Sequence, residues 1–317
     1  MKISIALCTY NGARYLPDQL ASIAAQTRPP DEIIVCDDGS QDETPEIARR
    51  FAAAMNFPVT LRVNEVNLGS FQNFGQAIDL CTGDVIALCD QDDVWLPEKL
   101  SRIAKEFEKD SKVGLVFTDA EIVDAALQPT GHRLFESIRV TDAERQGMVT
   151  GRAFEVLLKR NIVTGATAAF RAEWKPLVLP IEKKSFLAHD AWIALLISAV
   201  APIVMRDEPL IQYRQHDAQI QGVRTRERKV EPVSFYETHL NQLNAIRARL
   251  SAVTPRPPEL DKKLVTIDAQ RRHLDIRIGL PRNKIRRSFA VLWELCRGRY
   301  HQYSNGFYSA ARDILHP

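Results

Sequence analysis

The sequence predicts an α/β protein, with a largely parallel sheet covered by helices on both faces over residues 1–225 and a helical, cation-rich region over 226–317. Three observations predict it. Short apolar runs alternate with helix-period segments through the first 120 residues, polar turn sequences recur at the carboxyl ends of those runs, and both periodicity and charge change beyond Gly222.

The elements follow in order. "ISIALCT" reads as a strand, "ARYLPDQLASIAAQ" as a helix from its spacing of Leu16, Leu20, Ile23 and Ala24, and "DEIIVCDDGS" as a strand ending in turn chemistry. In "TPEIARRFAAAM" Thr44 is expected as the N-cap, with Pro45 at the first helical position. "VTLRVNE", "DVIALCD" and "VGLVFTDAEIVD" read as strands; "SFQNFGQAIDLC" and "LPEKLSRIAKEFEKD", starting near Pro97, read as helices. Beyond residue 150 come helical "GRAFEVLLKRN", strand-like "TGATAAF", a helix from "HDAWIALLISAV" and "PLIQYRQHDAQIQG". Three further helices, "VSFYETHLNQLNAIRARL", "PELDKKLVTIDAQRRHLDIRIG" and "RSFAVLWELCRGRY", form the second region, with the boundary expected within 222–232.

Composition narrows the class. The 317 residues are 45% hydrophobic, an ordinary globular value, and no run reaches the length of a membrane span. The opening run turns polar too soon for a signal peptide, and the five cysteines show no C-x-x-C pair. Reduced core thiols and a cytoplasmic location are expected. Residues 224–317 carry 19 Lys+Arg against 9 Asp+Glu, whereas 1–223 carry 23 against 31, so the two regions face different partners.

In an α/β sheet, ligands bind beyond the carboxyl ends of the strands. "TYNG", "DDGS", "NEVNLGS" and "DQDD" all fall there. Asp90, Asp92 and Asp93 end a buried strand, and crowded carboxylates there hold a cation or face open water. Asp92 is the candidate metal ligand; the alternative is a solvated acidic turn capping the next helix. Asp37 and Asp38 are placed to accept from a base N–H or sugar hydroxyls, although Asp37 also suits a simple Asx-turn. Thr9, Asn11 and Gly12 suit a nucleotide-contacting loop or an ordinary turn, and Asn67 and Gly69 precede a helix whose N-terminus favours a diphosphate. No P-loop or G-x-G-x-x-G fingerprint follows the first strand.

Four segments together, "ISIALCTYNGARYLPDQLASIAAQT", "DEIIVCDDGSQDET", "NLGSFQNFGQAI" and "GDVIALCDQDDVWLPEKL", resemble the N-terminal half of family 2 glycosyltransferases, inverting sugar-nucleotide enzymes of the GT-A (Rossmann-like) fold. The style of "CDQDDVWLPEKL" and "YRQH" is most similar to rhamnosyltransferase-type enzymes of bacterial surface-polysaccharide assembly. The resemblance implies that Asp38 binds the nucleobase, Asp90 the ribose or diphosphate side, and Asp92 a manganese or magnesium ion. It implies a general base at Asp190 in "AHDAW", where His189 replaces the usual Glu, and a diphosphate or metal contact for His216; a first-turn helix charge and an unliganded loop histidine are the alternatives. Arg214 is a candidate phosphate partner, Gly165 leaves room for sugar, and Trp95 and Trp192 either stack on a pyranose or lie in the core.

The expected partners are a dTDP- or UDP-linked sugar and a glycan or lipid-linked saccharide. The basic tail suits anionic lipid at the inner face of the cytoplasmic membrane, or else its helices pack their apolar faces together. Nucleic acid is not expected, because a +10 tail does not explain acids at successive strand ends. A nucleotidyltransferase of similar fold would need a Gly-rich, Arg-containing loop that "CTYNGARYL" lacks.

Overall fold

The computed structural model describes residues 1–181, 188–217 and 233–315. The chain forms two compact units, Met1–Leu157 with Asn161–Thr225, and Leu158–Arg160 with Arg226–Pro317. The expected boundary at 222–232 lies outside the described residues.

The first unit is built on a nine-stranded mixed sheet. Strand β1 (Ile3–Thr9) is buried at all seven positions, as a mainly apolar strand covered on both faces is. It pairs in parallel with β2 (Glu32–Asp37) and β4 (Val85–Cys89), and β2 pairs with β3 (Val59–Val63). The half-exposed pattern of "VTLRV" marks β3 as the edge. Register matches Thr9 with Asp37, Asp37 with Val63, and Leu7 with Cys89, so the turns after β1, β2 and β4 emerge side by side.

The connecting helices are α1 (Leu16–Ala24), α2 (Thr44–Ala54), α3 (Ser70–Leu80) and, after the two-residue β5 (Val94–Trp95), α4 (Lys99–Lys109). Leu16, Leu20 and Ile23 of α1 and Leu100, Ile103, Ala104 and Phe107 of α4 join one core with the sheet. Thr44 opens α2 as its first residue, flanked by Glu43. Its Oγ1 accepts from Gly12 N at 2.8 Å, so the side chain expected to cap α2 fastens the first loop.

Parallel order ends at β4. Strand β6 (Leu115–Val123) is followed by β7 (Pro129–Arg133), α5 (Leu134–Ser137), α6 (Asp142–Val149) and α7 (Ala153–Lys159). "TGATAAF" divides into a 3-10 turn, Gly165–Thr167, and β8 (Ala168–Arg171), which runs antiparallel between β4 and β6. After α8 (Lys175–Val178) and α9 (His189–Val200), β9 (Ile203–Arg214) pairs in parallel with β6 and antiparallel with β5. The largely parallel sheet expected from the alternation is therefore mixed. Residues of α9 from Ala191 to Ala199 are all buried, which explains why this helix is apolar all round. Trp95 and Trp192 are 2% and 0% exposed, so both are core residues and neither faces a sugar.

The second unit holds α10 (Val233–Ser251), α11 (Leu260–Ile278), α12 (Lys284–Cys296), α13 (Arg299–Tyr303) and α14 (Phe307–Leu315). Its small apolar cluster of Val291, Tyr300 and Ala310 is joined by a buried polar network. Arg277 donates to both Asp313 oxygens at 2.6 and 3.0 Å, and Tyr300 Oη donates to Asp313 at 2.8 Å. A buried ion pair with its remaining hydrogen bonds satisfied fixes helix register more than it adds stability. No described helix is long and apolar enough to cross a membrane.

Candidate active site

The three loops beyond β1, β2 and β4 are stapled by side chains. Thr9 Oγ1 donates to Asp37 Oδ2 at 2.8 Å, and the same carboxylate accepts from Ser40 N and Ser40 Oγ at 2.9 and 2.6 Å. Asp37 is thus an Asx-turn acceptor that closes its own loop. Asn11 adopts a φ of 46°, in the left-handed region open to Asn, with its N–H on Ser40 Oγ and its Oδ1 on Gln41 N. Gln91 accepts from Tyr10 N at 2.8 Å and donates to Tyr10 O at 3.0 Å, tying the first loop to the acidic turn.

Asp38 is also occupied. Its carboxylate accepts from Leu68 N and Gly69 N, both at 2.8 Å, and from Asn64 Nδ2 at 3.0 Å. Three of about four lone-pair positions are taken. Asp38, expected on the nucleobase, shapes the turn in which Asn67 donates to its backbone oxygen at 3.4 Å and Gly69 has a φ of 85° beside open space. Arg214, expected on phosphate, turns inward. Its guanidinium donates to Asp92 O, Ala125 O and an Asp18 carboxylate oxygen at 2.8, 3.0 and 2.7 Å, and it lies over the Tyr15 ring. With these contacts it is a positioning residue for the acidic turn.

The acidic turn itself is different. Asp90 accepts no hydrogen bond through its carboxylate among the described residues, and burial, followed by the charges of Asp92 and Asp190, pushes its pKa up to about 7. Asp92 Oδ2 lies 2.9 Å from Nε2 of His216, whose ring packs on Tyr15. Asp93 is fully buried; Oδ1 accepts from Arg214 N at 3.0 Å, Oδ2 has no partner, and burial with the neighbouring Asp92 and Asp90 raises its pKa. Beneath them Lys99 is fully buried, with Nζ donating to Ala166 O at 2.6 Å and lying over the Trp95 ring; burial lowers its pKa to about 7 against the opposing pull of Asp93 and Asp90.

Asp190 approaches from the first turn of α9, near enough for its charge to act on Asp90. Its Oδ2 accepts from Gly165 N at 2.9 Å and its Oδ1 from Ala191 N at 2.5 Å, with Asn161 Nδ2 at 3.4 Å. His189 stacks on Phe74 with ring centroids 3.9 Å apart, and its buried Nε2 has no partner. Burial lowers its pKa, which keeps the imidazole neutral. A Cβ on residue 165 would lie 2.8 Å from that nitrogen, so glycine is required there by the imidazole rather than to leave room for sugar.

Sequence reasoning missed Gln91, Lys99, Asn161 and Asp18. Only Lys99 left a signal, because it lies one turn before Ile103 on the core face of α4, where an apolar residue belongs. Among the described residues no group of three or more His, Cys, Asp or Glu is assembled to hold a metal. The Asp92–His216 pair, beside carboxylates that repel one another, still suits a divalent ion completing its shell with ligand oxygens. Of the five cysteines only Cys296 is exposed, and all are free thiols.

Fold and site define a GT-A-type protein with an acidic turn at the end of β4. The chain belongs to glycosyl transferase family 2, whose sequence pattern matches residues 4–174. It is 36% identical over 227 residues to an uncharacterized glycosyltransferase of Nostoc sp., a match covering 69% of this chain and 66% of that relative, just under two thirds of its length. Among solved structures it is similar to Staphylococcus aureus TarS 1–349 in complex with UDP-GlcNAc, with a TM-score of 0.61, 17% identity and coverage of 98% of this chain and 90% of that one. It is also similar to the mannosyltransferase PcManGT of Pyrobaculum calidifontis in complex with GDP-Man and Mn2+, with a TM-score of 0.52, 18% identity and coverage of 100% and 81%. At these identities the likeness is one of fold.

Proposed function

We propose that this protein is a metal-dependent, inverting glycosyltransferase that moves a sugar from a nucleoside diphosphate to a saccharide acceptor. One observation carries the reading. Beyond a buried strand Asp90 keeps a carboxylate that accepts no hydrogen bond among the described residues, Asp92, two residues on, meets the His216 imidazole, and Asp190, on a separate helix, is close enough for its charge to act on Asp90. Stability alone would not favour that arrangement, and ligand binding explains it. The neighbouring folds bind UDP-GlcNAc in one case and GDP-Man with Mn2+ in the other, which supports a nucleotide-sugar donor here.

In this reading the turns around Asn11, Asp38 and Asn67–Gly69 hold the nucleotide, and Asp90 faces its ribose or diphosphate. Asp92 and His216 would hold a manganese or magnesium ion, which when bound neutralises the leaving diphosphate. Asp190 is the general base. The acceptor hydroxyl oxygen forms a bond to the anomeric carbon, the bond from that carbon to the diphosphate breaks with its electron pair leaving on the diphosphate, and the hydroxyl proton passes to Asp190. Ala191 and Asn161 donate to Oδ1 of Asp190 and Gly165 to Oδ2, which leaves a lone pair on Oδ2 for that proton while the carboxylate is held in place. Attack opposite the leaving group inverts the anomeric centre. A rhamnosyl donor linked to dTDP or UDP, a lipid-linked acceptor in surface-polysaccharide assembly, and a location at the inner face of the cytoplasmic membrane belong to the same reading.

Thermal stabilisation by a panel of nucleoside diphosphates and nucleotide sugars, with and without manganese, tests it, since a ligand of the native state raises the melting temperature by mass action. A shift that needs both components and vanishes in Asp92→Ala is the expected result. With the donor so identified, Asp190→Asn should bind it within a few-fold of wild type and turn over nothing. Binding without turnover by the wild-type chain would instead mean a sugar-nucleotide binder.

A further inference from the structure

We propose that α12 is a membrane-docking helix whose outward apolar stripe enters the surface of a bilayer rich in anionic phospholipid. The helix is inverted relative to an ordinary core helix. Its inward face carries Arg287, which donates to Asp313 O at 2.5 Å, Val291, and Glu294, whose carboxylate meets His273 Nδ1 at 3.0 Å and accepts from Arg299 at 2.7 Å. Ile285, Phe289, Leu292 and Trp293 are instead 69%, 71%, 48% and 60% exposed.

Their offsets of four, seven and eight residues place them on a single face at about 100° per residue, roughly opposite Arg287, Val291 and Glu294. Four large side chains in solvent at helical spacing cannot be the scattered exposure of an ordinary surface. The same wheel puts Arg286 and Arg297 along one edge of the stripe, with Lys284 in the first turn and Arg282 just before the helix. All four cations are exposed, none forms an ion pair among the described residues, and Arg297 lies over the Trp293 ring. Residues 282–297 contain five cations and one acid, and that acid is Glu294, buried on the inward face.

Charge selects the occupant. In a two-fold contact between copies of this chain, one cationic rim would meet another and repel it, whereas anionic headgroups satisfy every edge cation while the acyl boundary takes the aromatic and aliphatic groups. Trp293 and the stems of Arg286 and Arg297 suit the headgroup layer, where an amphipathic side chain keeps its apolar body in and its charge out.

The test is sedimentation of the full chain with phosphatidylcholine vesicles, with and without phosphatidylglycerol. Binding should require phosphatidylglycerol, weaken as salt is raised, and shift the emission of Trp293 to the blue. Phe289→Ser combined with Trp293→Ser should weaken binding about a hundred-fold at an unchanged melting temperature, because about ten-fold is lost for each aromatic left in water. Arg286→Gln with Arg297→Gln should weaken it about twenty-fold at low salt. No binding to either vesicle, or equal binding by the aromatic double variant, overturns the proposal. So does self-association without vesicles that the aromatic substitutions abolish, which would assign the stripe to a second copy of this chain. No sugar nucleotide enters the measurement, so its outcome stands apart from that of the transfer reaction.

Discussion

Replacing Asp90 with Asn should make the ligand-free protein more stable, with a larger gain at pH 8 than at pH 5. The carboxyl is held at about 7 rather than its ordinary 3.8, which costs the ionised form about 4 kcal/mol. The sign follows from proton uptake. A carboxyl whose folded pKa is raised binds more protons in the native state, so its stabilising contribution is complete below about pH 4 and lost as pH rises through about 7. Between pH 5 and 8 the full shift corresponds to a loss of about 2.7 kcal/mol. Solvent at the partly exposed carboxylate screens part of that, so the gap between the two proteins should widen by about 1–2.5 kcal/mol from pH 5 to pH 8. Urea unfolding of both at pH 5 and pH 8, with EDTA present, measures the effect of the Asp90 charge together with its pull on Lys99 and Asp93, whereas His189 and His273 titrate alike in each. Parallel pH profiles would refute the reasoning, since Asp90 would then ionise freely and the site would carry no electrostatic stress for a ligand to relieve.

Other perturbations follow from the same contacts. His216→Ala removes the partner 2.9 Å from Asp92 and should weaken manganese-dependent nucleotide stabilisation at least ten-fold while leaving metal-free stability within about 1 kcal/mol, read by thermal shift. Gly165→Ala drives a Cβ to 2.8 Å from His189 Nε2, whose ring is held against Phe74 and cannot retreat; about 1–3 kcal/mol of unfolding free energy should be lost in urea titrations. Asp38→Ala strips the acceptor from two loop amides and Asn64, and should cost about 2–4 kcal/mol together with faster amide exchange at Leu68 and Gly69, measured by hydrogen exchange.

How far the sequence foretold this molecule can be argued from particular residues. Strands β1, β2 and β4 announced themselves because burial on both faces demands near-continuous apolar runs, and α9 because an interior helix is apolar all round. Strand direction leaves no such trace. "ATAAF" reads the same whichever way it runs, so the antiparallel β8 that makes the sheet mixed was invisible. Strand β5 has two residues and β7 is exposed at all five, so neither carries a period to detect. The helices of the second unit were visible from their periodicity, yet the apolar stripe of α12 points outward because Arg287 and Glu294 find buried partners inside, which no local pattern records. At the site, the position of the acids beyond the strand ends was readable, but not whether each one's hydrogen-bond capacity is spent on protein or kept for a ligand.

That distinction orders the site physically. Asp37 and Asp38 lie at the end of β2 as Asp90 and Asp92 lie in the turn after β4, yet their energetics are opposite. The first pair collects hydrogen bonds from Thr9, Ser40, Asn64, Leu68 and Gly69, so each charge is stabilised by fixed protein dipoles and the loops around it become rigid. In the second pair one imidazole meets Asp92, and the buried Lys99, whose charge acts on Asp90, gives its hydrogen bond to Ala166 O rather than to either carboxylate. That bond makes Lys99 a link as well as a counter-charge. It grips the 3-10 turn whose first residue donates from Gly165 N to Asp190, so the floor of the acidic turn and the carboxylate facing it are fastened to the same three residues. Lys99→Met, close in volume but unable to donate, should therefore loosen Asp190 without touching the Asp92–His216 pair. The expected outcome is turnover reduced at least ten-fold with manganese-dependent donor affinity unchanged, and partial recovery in Lys99→Arg. A parallel loss of donor affinity in Lys99→Met would show that the lysine supports the acidic turn alone, and the link to Asp190 would fall.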